Sequence, residues 1–165
     1  PEVRIREITS ALARALPAMA AEVPGPLLLT GHSAGGHLVL RMACPDFRAG
    51  AGLPADVAGR IAGVLAISPL SDLAPLIDMP MNADLRIDAA EAAAESPVRH
   101  PAPALPVQVE VGAGERPAFL DQAMWLADAW PDTDLSIAAD RHHFDVIDAL
   151  TDPESPMLRR LFALV

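Results

Sequence analysis

Leu27-Leu28-Leu29-Thr30-Gly31-His32-Ser33-Ala34-Gly35 passes from an apolar run directly into a helix-forming one, and its reading decides the fold. Val23-Pro24-Gly25-Pro26 breaks whatever precedes it, so residues 27–30 read as a buried strand. A helix is expected over about 33–43, stopped by Pro45. Between strand and helix, Gly31-x-Ser33-x-Gly35 has the form of a sharp turn that lifts a hydroxyl above the carboxyl edge of a sheet. Such a turn strains the backbone at Ser33, and side chains two residues to either side are expected to clash. The free amides at the helix start favour developing negative charge, and the backbone N–H of Ala34 is one expected oxyanion donor. The bland alternative is a glycine-rich turn with an N-cap serine and no chemistry. The flanking strand and helix weigh against it.

Working outward, residues 61–67, 107–111 and 134–138 read as three further strands. Helices are expected over about 117–129, 144–150 and 156–164, with short helical pieces near 82–86 and 88–95 inside an irregular excursion over 68–106. The N-terminal stretch steps Ile5, Ile8, Leu12, Leu16, Met19, Val23 by three or four, which marks an amphipathic helix rather than a signal peptide. Strands alternating with helices imply an α/β fold: a mostly parallel sheet of about four strands with helices on both faces. One domain over 1–165 is expected. The start at Pro1, with a helix already under way, suggests that some strands precede it.

Composition narrows the function. The chain has 165 residues, 52% hydrophobic and 21% charged, with a formal net charge of -10. That is a globular composition, and a strongly acidic one that argues against a nucleic-acid partner. No run of about 18 apolar residues offers a membrane span. Cys44 is the single cysteine, mildly favouring a reducing, cytoplasmic setting, and it reads as a small buried residue. A homodimer is allowed by the sequence and not required.

A serine hydroxyl needs a neighbouring base, and in this order of elements an acid and then a histidine should follow it. His142 and His143 lie in the loop after the last strand, and the residues alone do not choose between them. A metal reading, with Asp140 and Asp145, lacks a matching set of ligands upstream. Glu115, in the glycine-bearing loop after the third strand, is the expected acid, with Asp72 as runner-up. His32 and His37 are expected to serve in helix-start packing and at the surface, respectively.

These stretches resemble the kynurenine formamidase (arylformamidase) family of α/β-hydrolases. The likeness is carried by Gly31-His32-Ser33-Ala34-Gly35-Gly36-His37-Leu38, Ser68-Pro69-Leu70-Ser71-Asp72, Met81-Asn82-Ala83-Asp84-Leu85-Arg86, Glu115-Arg116-Pro117 and His143-Phe144-Asp145-Val146. It spans about 27–150 and implies an α/β-hydrolase fold with a Ser33–His143–Glu115 triad, which selects His143 over His142. The implied reaction is cleavage of N-formyl-L-kynurenine to kynurenine and formate, without cofactor or metal. The alternatives are a carboxylesterase acting on short acyl esters and a non-catalytic hydrolase-like binding protein. The family's His-Gly-Gly stretch, which supplies the other oxyanion donor from an earlier strand, does not occur in this chain. The expectation is that the sequence begins partway through the gene product.

Overall fold

The computed structural model describes residues 2–50 and 53–165. Four strands, β1 (Leu27–His32), β2 (Ile61–Ile67), β3 (Val107–Gly112) and β4 (Asp134–Ala138), form one sheet in the order β1-β2-β3-β4, and every pairing is parallel. Parallel strands bury both faces, and the central strand β2 shows it residue by residue. Val64 and Ala66 point into one core with Val107, Val109, Val111, Leu126 and Trp130, while Leu65 and Ile67 point into another with Val146, Met157 and Leu161. On β3 the second face is polar: Glu110 is held by Arg160 and by the Ser136 hydroxyl, so its buried charge is partnered.

Helices α1 (Ile5–Glu22), α2 (Ala34–Ala43), α3 (Pro45–Gly50) and α4 (Ala55–Arg60) come before β2, and α5 (Asn82–Leu85) and α6 (Ala89–Glu95) lie in the excursion. Helix α7 (Pro117–Ala129) joins β3 to β4, and α8 (Pro156–Phe162) closes the chain. The structure differs from the sequence reading in three places, and the first two have a physical cause. Pro45 ends α2 but also opens α3, because a proline fits the first turn of a helix, where its missing N–H is not needed. The segment before β2, expected as a loop, contains α4, whose Arg60 guanidinium donates to the carbonyls of Ala20, Val23 and Gly25. It thereby satisfies groups at the end of α1 that the helix itself leaves unpaired. Finally, the helix expected over 144–150 begins later, as a 3-10 helix over Val146–Thr151.

Helix α1 forms over the expected span but buries Thr9, Ala13, Leu16 and Ala20. Of the expected stripe Leu16 is buried, while Ile8, Leu12, Met19 and Val23 are exposed. Among the described residues, no helix is long and apolar enough to cross a membrane.

Candidate active site

The strand register brings His32 beside Ile67 and Gly112 beside Ala138, so all four strands end along one edge. The loops that leave them carry Ser33, Ser68, Glu115 and His143. Ser33 stands between β1 and α2 at φ 56° and ψ -118°, a left-handed backbone that costs a non-glycine residue strain. Its N–H donates to the carbonyl of Ile67 at 2.8 Å, which pins the turn to the next strand. A Cβ on Gly31 would stand 2.2 Å from the Gly35 carbonyl oxygen, so only glycine fits there. At Gly35 the clash expected from the sequence is absent, since a Cβ would meet no atom within 4 Å. The tight position is Gly36, where a Cβ would lie 3.0 Å from the Pro69 side chain. Ala34 opens α2, and the N–H of a first helical residue has no partner within its helix.

His143 connects the remaining groups. Its Nε2 lies 3.1 Å from Ser33 Oγ and its Nδ1 lies 2.7 Å from Glu115 Oε2. An Nδ1–H donating to the carboxylate leaves Nε2 free to accept the serine proton. The Glu115 side chain is 0% exposed. Its other oxygen accepts from Ser68 Oγ at 2.5 Å and from the Gly112 N–H at 2.9 Å, so the buried carboxylate is bonded at both ends. The acid loop also lies directly on the histidine loop. Gly114 N–H donates to Arg141 O at 2.8 Å, and a Cβ on Gly112 would stand 2.3 Å from that same oxygen. Glycine at 112 is what lets the two loops meet.

The other candidates go elsewhere. Asp72 caps the following turn, accepting from Ala74 N–H at 2.9 Å and pairing with Arg99 at 3.3 Å, so it orients no histidine. His142 is exposed, with its Nδ1 3.4 Å from Asp145. Cys44 is buried, and burial pushes its thiol pKa up to about 11. Among the described residues, no group of three or more His, Cys, Asp or Glu is placed to hold a metal ion. The sequence reading missed Ser68. It is fully buried at φ 46°, and its hydroxyl donates to Glu115. Its position right after a strand is a signal, but a serine there is ordinary until its partner 47 residues away is known.

His37 corrects a second expectation, because it is 3% exposed rather than a surface residue. Its Nε2–H donates to Glu95 O at 2.7 Å, and burial, the main cause, lowers its pKa from 6.5 to about 4. As pH falls below 6.5 the unfolded chain takes up a proton that the folded chain refuses until about pH 4, so stability falls across that window. A His37→Gln variant, which keeps the donor without titrating, should lose on the order of 3 kcal/mol less than wild type between pH 7 and pH 4. Urea unfolding at the two pH values measures this, and parallel losses in both proteins would refute it.

A cleft of about 410 Å³ opens beside Glu115 and His143, lined further by Arg116, Phe119, His142 and Phe144. The Phe119 ring lies 4.1 Å from that of His143, and the Phe144 ring, on a residue that is 77% exposed, lies 5.3 Å from it.

No protein-family profile matches the chain, and no curated protein matches it. Solved structures do. The chain is 51% identical, with a TM-score of 0.90, to a Silicibacter sp. tm1040 protein provisionally described as a thioesterase, covering 98% of this chain and 60% of that one. An esterase/lipase from an uncultured bacterium is 25% identical at a TM-score of 0.65, covering 96% of this chain and 58% of its own. Thermogutta terrifontis esterase 2 with propionate bound is 20% identical at 0.64, covering 87% and 57%. The chain thus spans about three-fifths of the length of these proteins, and its fold is that of the α/β-hydrolases.

Proposed function

We propose that the protein is a serine hydrolase of carboxylic esters, thioesters included, working through a Ser33–His143–Glu115 triad. The observation that carries this reading is the continuous hydrogen-bonded path from Ser33 Oγ through the imidazole to a fully buried, doubly anchored carboxylate. His143 Nε2 takes the Ser33 proton as Oγ bonds to the acyl carbon. The carbonyl oxygen becomes an oxyanion facing the Ala34 N–H, and Glu115 stabilises the imidazolium. When the tetrahedral centre collapses, His143 gives that proton to the departing alkoxide or thiolate, leaving an acyl-serine. Water then adds to the acyl carbon, His143 accepts its proton, and the proton returns to Ser33 Oγ as the acid leaves. The likeness to a described thioesterase and to esterases supports the substrate class.

Arylformamidase activity is the second reading. The observation in its favour is the pair of aromatic rings beside the His143 imidazole, a surface on which an aryl group can lie. The two readings separate on three substrates: an aryl acetate, a short acyl thioester and N-formylkynurenine. The first reading expects the ester or the thioester to have the highest kcat/KM. A higher value for N-formylkynurenine would establish the second. A folded protein that turns over none of the three contradicts both.

A further inference from the structure

The residue before the nucleophile is held where it touches the base. His32 ends β1, yet its Nε2–H donates to the backbone carbonyl of His143 at 2.8 Å, across 111 residues of sequence. The two rings lie 4.6 Å apart, centroid to centroid, tilted by 42°. Other bonds hold the loop on either side of His143. Arg141 O accepts from Gly114 N–H, His142 N–H donates to Asp145 at 2.6 Å, and His142 O accepts from Val146 N–H at 3.0 Å. The His32 bond reaches the main chain of His143 itself, from the strand that leads into Ser33.

We propose that His32 is a positioning residue, which ties the His143 main chain to the nucleophile's strand so that one imidazole orientation spans Ser33 and Glu115. The inference rests on the triad reading above. A carbonyl acceptor fixes the proton on His32 Nε2. Burial first, and then the neighbouring His143, lower the His32 pKa against the raising effects of its bond to the His143 carbonyl and of Glu115, which disfavours a second charge beside an imidazole that must itself become charged. The tether itself is the hydrogen bond to the His143 carbonyl, which holds the main chain of the base whatever the ring does. Misplacement of a catalytic group by about 1 Å is enough to cost about 10² in rate, which sets the scale of the effect.

Two variants test this. His32→Leu removes the donor, whereas His32→Gln offers an amide N–H of similar reach and no titration. The expected result is a kcat lower by about 10- to 100-fold in His32→Leu with KM little changed, and most of that loss restored in His32→Gln. The second readout is the downfield proton resonance of the His143 Nδ1–H bonded to Glu115, which needs no turnover. It should broaden or shift in the leucine variant and persist in the glutamine variant. Unchanged kcat in His32→Leu overturns the proposal, as does a loss of kcat with the resonance unmoved, or a glutamine variant as impaired as the leucine one. If the wild-type protein shows no Ser33-dependent turnover, the hydrolase reading fails, and the resonance still decides whether His32 positions the ring.

Discussion

Ser33→Ala is expected to lower kcat by about 10⁴-fold or more while leaving stability nearly unchanged. The expected loss is large because the hydroxyl bonded to His143 Nε2 is that of Ser33, and the proposed acyl-serine cannot form without it. Stability is spared because the turn is secured by main-chain features: the Ser33 N–H bond to Ile67 O, and Gly31, where a Cβ would strike the Gly35 carbonyl. Alanine inherits the same positive φ at the same cost. Steady-state kinetics on the best ester, with urea unfolding alongside, measures both quantities. Activity within ten-fold of wild type would remove Ser33 from the mechanism.

Glu115→Gln should come next, with kcat lower by about 10³- to 10⁴-fold. The carboxylate accepts from three donors at once: Ser68 Oγ–H, Gly112 N–H and His143 Nδ1–H. An amide has one accepting oxygen. If its NH₂ turns toward His143, Nδ1 must become the acceptor and the proton moves to Nε2, where it blocks the base. If its NH₂ turns inward, it meets the Gly112 N–H and leaves a buried donor unsatisfied, at a cost of about 1–3 kcal/mol in stability. The control is Asp72→Asn, whose wild-type carboxylate serves the Ala74 turn and Arg99, and which should retain kcat within a few-fold. Equal losses in the two variants would reopen the identity of the acid.

Much of this architecture is legible in the sequence because local patterns decide it. The apolar run at Ile61–Ile67 and the alternating valines of Val107–Gly112 are short strand patterns, and the register places them as the inner strands. The Gly31-x-Ser33 turn is legible because its constraint is local, with the clashing oxygen only four residues away. What stays hidden depends on partners far along the chain. His37 looks like a solvated helix residue until the Glu95 carbonyl is known to cover it. Ser68 and His32 gain their roles from Glu115 and from the His143 main chain, which no periodicity reveals. The exposed stripe on α1 shows the opposite limit. Hydrophobic spacing there names a helix correctly, but of its stripe only Leu16 is buried, and the rest of the buried face is Thr9, Ala13 and Ala20.

The central claim is that Ser33 is a nucleophile activated by His143, and covalent labelling tests it whatever the substrate proves to be. The protein would be treated with paraoxon and digested, and the adduct located by peptide mass mapping. The account predicts one diethylphosphoryl group on the peptide that contains Ser33. It should be absent in Ser33→Ala and form far more slowly in His143→Ala. A folded protein that stays unlabelled, or that is labelled at another residue at the same rate in all three forms, would contradict it.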